Sequence, residues 1–365
     1  MQGAISSLSI TVATGIGIGY PLTGIIAATL DYRYAFWFAG LFVISAMVVV
    51  LVVVPRGPDE QGLRVPFDTV GAVLLGVGLA ALLLGISEGP NWGWTSVSTI
   101  ATIVGAVVVL ALWVVRETST AHPLIRLDLL RKSDVLLANV TALSLGASMY
   151  IGLSVISLIA QAPTETTYGV GLPLFWAGFV MLPLSLGSQT SSRLAKVLVR
   201  RVPFTLLLPI GAVFVTVANL MLLGAHDELW ELLVGTFFFG VGIGTTYAAM
   251  PGLIARGVAA QELGSAVSFN QVLRTVGGSL GSAVAGAVLA THMGTDLLPT
   301  GRGIDMTFLV SGLACAAVAL GLISHAVVSA RLARRRAQAR HPGVNASRDE
   351  VVEGIEELEP HETVR

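Results

Sequence analysis

Ser265-Ala-Val-Ser-Phe-Asn270-Gln271-Val-Leu-Arg274-Thr-Val-Gly277-Gly278-Ser-Leu-Gly281-Ser-Ala-Val-Ala-Gly286-Ala-Val-Leu-Ala-Thr291 is the stretch on which the reading turns. It is long enough to cross a bilayer as a helix, for which ~20 apolar residues suffice. Near its middle stands one arginine, preceded by Asn270 and Gln271 and followed by a run of small residues. A cation at membrane depth costs ~2.5–3.5 kcal/mol on insertion scales unless it faces a wet cavity or a partner. Gly277, Gly278, Gly281, Ser282, Ala285 and Gly286 are of the kind that let a second helix approach closely. The stretch reads as one wall of a cavity carrying a fixed charge.

The whole chain has a composition to match. Hydrophobic residues make up 54% and charged residues 12%, against ~25% charged in an average soluble domain, and the mean hydropathy is +0.81. The class is membrane, not soluble. Cys315 is the one cysteine and lies in an apolar run, so no internal disulfide can form. Met1-Gln-Gly3 carries no basic n-region, and no cleaved leader is expected.

Ten apolar runs of spanning size follow one another at about 4–29, 34–54, 67–87, 95–115, 136–160, 174–191, 203–224, 230–254, 265–291 and 305–330. With the N-terminus inside, all but three of the 21 lysines and arginines fall in inner loops or the tail; the exceptions are Arg33, Arg302 and Arg274. Such a split is the signature of positive-inside topology. Trp37, Trp92, Trp94, Trp176 and Trp230 then mark the outer ends, as an interfacial aromatic belt requires. The C-terminal tail is expected in the cytoplasm and the chain in the plasma (inner) membrane.

Details of the runs add functional candidates. Gly15, Gly17, Gly19, Pro21 and Gly24 in the first run flatten a helix face and bend it, either for tight packing or as a hinge between moving halves. Asp68 opens the third run, where an acid is favoured by the helix dipole. Glu88 to Trp94 reads as an outer hairpin loop, and Leu124 to Leu130 as a short amphipathic helix on the inner surface. The fifth run carries Asn139, Ser144, Ser148 and Tyr150 at spacings that suggest one polar stripe. Such a stripe either bonds helices together or lines a path. Arg331 to Arg336 forms a juxtamembrane basic cluster suited to anionic lipid, and the acidic tail from His341 reads as disordered.

No catalytic constellation accompanies these features. The six histidines lack metal-ligand spacing, there is no phosphate loop ending in Gly-Lys-Ser/Thr, and no nucleophile elbow. No metal, cofactor or nucleic acid is expected. What remains is many helices, glycine-rich bends, polar stripes and one arginine in the membrane. Those are the requirements of a secondary transporter, which holds a central site while two bundles rock around it. A polytopic membrane enzyme would need clustered His, Asp and Glu at one depth, and a non-transporting scaffold would need none of these features.

Gly19-Tyr20-Pro21-Leu-Thr-Gly24 resembles, with Tyr20 and Ile25 in place of two glycines, the antiporter motif in the fifth helix of the major facilitator superfamily. Asn270-Gln-Val-Leu-Arg274-Thr-Val-Gly277-Gly278-Ser-Leu-Gly281 is similar to the thirteenth helix of the fourteen-helix drug:proton antiporters of EmrB/QacA type. Pro123 to Leu130 resembles that subfamily's entry into its ninth helix, and Arg193-Leu-Ala-Lys196 more weakly an inner-loop signature. The resemblance implies an all-α polytopic membrane protein, a major-facilitator-type bundle with about ten transmembrane helices corresponding to helices five to fourteen. It divides the chain into the remainder of an N-terminal bundle (1–54), a linker with two inserted helices (55–135), a six-helix C-terminal bundle (136–330) and a tail (331–365). It further implies helices one to four, needed in cis and missing from this chain, and proton-coupled export of small amphiphilic compounds. Arg274, Asn270, Gln271, Gly277, Gly278 and Gly281, with Gly15, Gly19, Pro21 and Gly24, would serve gating. Asn139, Ser144, Ser148 and Tyr150 would serve the substrate path. Export of a native metabolite, lipid or siderophore is the alternative cargo, and a truncated, non-transporting remnant the alternative state.

Overall fold

Satisfying every backbone N–H and C=O inside lipid leaves an open chain one regular solution, the helix. The computed structural model describes residues 15, 18–53, 68–121, 123–130, 132–198, 204–260, 262–294 and 297–340. Apart from an isolated bridge between Met293 and Pro299, the regular structure among them is helical. In chain order the helices are α1 (Ile18–Thr29), α2 (Tyr32–Val53), α3 (Thr69–Trp92), α4 (Val97–Ser119), α5 (Leu127–Leu130) and α6 (Ser133–Gln161). They continue with α7 (Leu174–Ala177), a 3₁₀ turn (Gly178–Met181), α8 (Leu182–Leu198), α9 (Phe204–Gly224), α10 (Leu229–Gly257), α11 (Leu263–Ala290) and α12 (Gly301–Arg340). Among the described residues, eight helices are long and apolar enough to cross a membrane. This is a multi-pass membrane protein.

Every expected run contains a helix, with several boundaries moved. The first run is described as a helix from Ile18 onward, and its earlier residues, the 55–66 linker and the tail from His341 lie outside the described residues. The sixth run is not one smooth helix: α7 tightens into the 3₁₀ turn before α8 carries on to Leu198. The expected hairpin loop at Glu88–Trp94 is instead the last turns of α3, which runs through Pro90. Proline there removes the bond its N–H would give to the Ile86 carbonyl, and the helix ends two residues later. The stop comes at Gly93, whose φ of +86° is open to glycine and strained for other residues. The short surface helix is a single turn, α5.

Helix starts follow the local chemistry. Asp68 caps α3 by accepting from the Gly71 amide (3.0 Å) and pairs with Arg116 of α4 (3.3 Å). Ser96 caps α4 through the Thr99 amide (3.2 Å), and α10 begins in a capping box of Glu228 and Glu231.

The described residues up to Leu320 form one compact unit, and the α12 stretch from Gly321 to Arg340 belongs to a second. In the first unit, α11 lies along α6, α10 lies between α8 and α9, and α3 pairs with α4. Lipid is as apolar as leucine, so close van der Waals contact, not water exclusion, holds such helices together. Glycine supplies that closeness. Gly240 and Gly244 of α10 rest on the backbones of Leu184 and Ser188 in α8, while Gly235 and Gly242 receive Leu222 and Val215 of α9.

The connections alternate between two ends. At one end the Tyr168 hydroxyl donates to the Pro299 carbonyl (2.7 Å), joining the α6–α7 and α11–α12 loops. At the other, Lys132 donates to Gly257 O (2.7 Å) and Arg126 pairs with Glu262 (3.0 Å). The carboxylates of Asp128 and Glu262 there raise the Arg126 guanidinium above its already high range.

Candidate functional site

Arg274 sits near the middle of α11, half-buried, with its guanidinium carbon 4.0 Å from the centroid of the Tyr247 ring on α10. Tyr247 is buried (4% exposed), and its hydroxyl donates to the Met149 sulfur of α6 (3.6 Å). Three helices therefore converge on one cation. A cation on an aromatic face gains ~0.5–2 kcal/mol, without losing its charge. Among the described residues no carboxylate forms an ion pair with Arg274; the ion pairs lie at helix ends and in loops.

Small residues bring α6 and α11 into contact around this point. A Cβ on Gly146 would meet the Arg274 carbonyl, one on Gly277 the Leu143 carbonyl, and one on Gly281 the Ala147 carbonyl, all inside contact distance. Main chain thus lies on main chain over about two turns of α11. Gly278, on the neighbouring face, leaves room for the Tyr150 ring, whose Cδ2 would stand 2.6 Å from a Cβ placed there. Tyr150 is 41% exposed, and it lies within electrostatic range of both Tyr247 and Tyr20 of α1. Gln271, one turn before Arg274, is exposed.

The polar residues of α6 do not form one stripe. Asn139 turns to α11, where the Asn270 amide donates to its Oδ1 (3.0 Å) and to the Ala138 carbonyl (3.0 Å); both asparagines are buried. Ser148 turns to α9 and α12 instead, accepting from Asn219 Nδ2 (3.0 Å) and bonding the Ser311 hydroxyl (2.8 Å). The Cys315 thiol lies beside Ser148 and Ser144. Ser144, Ser148 and Ser311 also border a mostly apolar cavity of about 130 Å³ between α6, α11 and α12. Asn270→Ala would strand the Asn139 acceptor in the bundle. A buried unsatisfied polar group costs ~1–3 kcal/mol, so the thermal unfolding midpoint in detergent should fall, and the Asn139→Ala/Asn270→Ala double variant should recover part of the loss.

The α1 residues occupy another place. Gly24 packs on the α7 backbone, with a Cβ there 3.2 Å from Leu174 O, while Gly178 of the 3₁₀ turn meets the Tyr20 carbonyl and Pro21. Gly15 and Gly19 face open space. Among the site residues, Tyr247, Asn219 and Ser311 were not singled out by the sequence reading, and Cys315 was noted there only as the lone cysteine. Tyr247 ends the Gly240-Val-Gly242-Ile-Gly244-Thr-Thr run and is the sole tyrosine of α10, a signal that could have flagged it.

Comparison with known proteins gives this arrangement relatives. The chain is 27% identical over 297 residues to the multidrug resistance protein Stp of Mycobacterium tuberculosis, covering 81% of this chain and 54% of Stp. It is 26% identical over 308 residues to the tetracenomycin C resistance and export protein of Streptomyces glaucescens, covering 80% and 54%. The lincomycin resistance protein of Streptomyces lincolnensis is 26% identical over 331 residues, covering 88% and 65%. The chain thus spans about half the length of the first two. Among solved structures the nucleoside transporter NupG superposes with a TM-score of 0.47 at 12% identity, covering 87% of this chain and 83% of that one. The family description "Major Facilitator Superfamily" matches residues 67–282, more than half of the chain, and the chain belongs to that superfamily.

Proposed function

We propose that this chain is the major part of a proton-coupled exporter of small amphiphilic molecules, of the multidrug-efflux type. The observation that carries the reading is a half-buried guanidinium midway along an apolar helix, lying over a tyrosine ring of the preceding helix. An intramembrane cation is expensive and marks a pathway more often than a strut. The names of the relatives, which speak of multidrug resistance and of antibiotic resistance and export, support the same direction.

In this reading the basic end faces the cytoplasm, in the plasma (inner) membrane. The described helices correspond to the fifth to fourteenth of the fourteen-helix drug:proton antiporters: α1 and α2 from the first bundle, α3 and α4 as inserted helices, and α6 to α12 as the second bundle. The glycine seat of α1 on the α7 turn then lies at the seam between bundles, where rocking occurs. Further helices complete the first bundle in cis and bring the acid that exchanges the proton.

Everted membrane vesicles with an acid interior test this directly. Uptake of an aromatic amphiphile is expected, abolished when a protonophore collapses the gradient. The assay is run on this chain and on a form extended in frame by upstream sequence. Absence of gradient-driven uptake in both forms refutes the exporter reading.

A further inference from the structure

Resting on that reading, we propose that the Arg274 site selects aromatic acids, rings bearing a carboxylate or a phenolate, over lipophilic cations of the same size. The argument begins with charge. Arg274 presents a full positive charge near the middle of a membrane helix, and its closest described partner is the face of Tyr247, which stabilises a cation without neutralising it. Among the described residues no aspartate or glutamate forms an ion pair with it. At low effective dielectric an uncompensated charge acts strongly on anything within a few ångströms. A cationic ligand is repelled there and an anionic one drawn in.

Shape narrows the class. The guanidinium carbon lies 4.0 Å over the Tyr247 ring, and the Tyr247 hydroxyl accepts one of its hydrogen bonds, which leaves most of its N–H groups for a further partner. Guanidinium has five donors in a planar fork that matches a carboxylate, and a single phenol oxygen can satisfy few of them. Beside it, Tyr150 offers a ring held against the bare backbone of Gly278, with 41% of its surface open. Tyr20 adds a third phenol within electrostatic range of Tyr150. The surroundings of the cation are therefore aromatic and neutral. A planar ring carrying one acidic group can stack on tyrosine and place its oxygens on the fork at once, which neither an aliphatic acid nor an aromatic cation achieves.

Three probes sharing one ring separate charge from shape: 2-naphthoate, 2-naphthamide and 2-naphthylmethylammonium. Binding to the purified full chain in neutral detergent is measured by titration calorimetry, and uptake by everted vesicles. A charge-assisted bond is worth roughly twice a neutral one, so 2-naphthoate is expected to bind at least ~10-fold more tightly than the ammonium probe, with the amide between them. Arg274→Gln should reduce that preference to within about threefold; Arg274→Lys should keep part of it. The wild-type series decides the sign even if a variant does not fold. Equal or tighter binding of the ammonium probe, or a preference untouched by Arg274→Gln, overturns the proposal while the exporter reading stands if uptake persists. Loss of binding and of gradient-driven uptake for all three probes brings down both.

Discussion

Gly277→Ala should cost the protein more stability than its single added methyl group suggests, and Gly286→Ala should cost none. Both glycines lie in α11, nine residues apart, and both would gain helix propensity on becoming alanine, worth ~0.5–1 kcal/mol. Their surroundings differ. A Cβ at Gly286 meets nothing within 4 Å, whereas at Gly277 it would run into the carbonyl of Leu143, with Leu143 Cα 3.0 Å away. The obstacle is backbone, which cannot rotate aside, so α6 and α11 must move apart. Overpacking costs ~1–3 kcal/mol and sometimes more. Separating these helices also loosens the neighbouring contacts at Gly146 and Gly281, which puts the cost at the upper end. The check is thermal unfolding in detergent: the Gly277 variant should melt well below wild type or fail to accumulate, and the Gly286 variant should match wild type or exceed it. Equal midpoints for the two would show that the close approach of α6 and α11 contributes nothing.

Arg274→Ala should do the opposite, sparing the fold and stopping transport. Removing the side chain forfeits a cation–π contact of ~0.5–2 kcal/mol. It also removes a charge whose insertion costs ~2.5–3.5 kcal/mol. The two contributions offset each other for a half-buried cation with a ring partner, so the variant should fold with a stability close to that of wild type. Gradient-driven uptake of 2-naphthoate into vesicles, by contrast, should drop at least ~10-fold, a loss of one charge-assisted interaction or more. Retained uptake with an unchanged pH dependence would reduce Arg274 to a strut between α10 and α11.

Much of the fold could be read before any helix was packed. Apolar runs gave the spans, and lysine and arginine gave an alternating order of loops that the Tyr168–Pro299 and Lys132–Gly257 contacts respect. The small residues after Arg274 announced a closely packed helix face, and α6 occupies it. The partners were harder. Asn139 and Asn270 were each visible as polar residues in apolar runs, but their pairing depends on how far α6 and α11 are rotated about their axes. Hydropathy is blind to rotation. For the same reason Ser148 seemed to belong with Asn139, although the two sit on different faces and bond to different helices. Tyr247 was missed because its role depends on a contact between α10 and α11 that no spacing within either helix encodes. The loop expected from Glu88 starts too early, because α3 runs through Pro90 to Trp92 and stops only at Gly93.

Along the line where α8 meets α10, peptide rides on peptide at Gly240 and Gly244, with Ser192 reaching across to the Gly244 carbonyl (3.0 Å). Interlocked side chains resist sliding, since each ridge must climb out of its groove before the helices can shift. A track of bare peptide has low relief, so translation along it meets little friction, whereas pulling the two rods apart forfeits contact over their whole length. Helices seated this way yield to shear sooner than to separation.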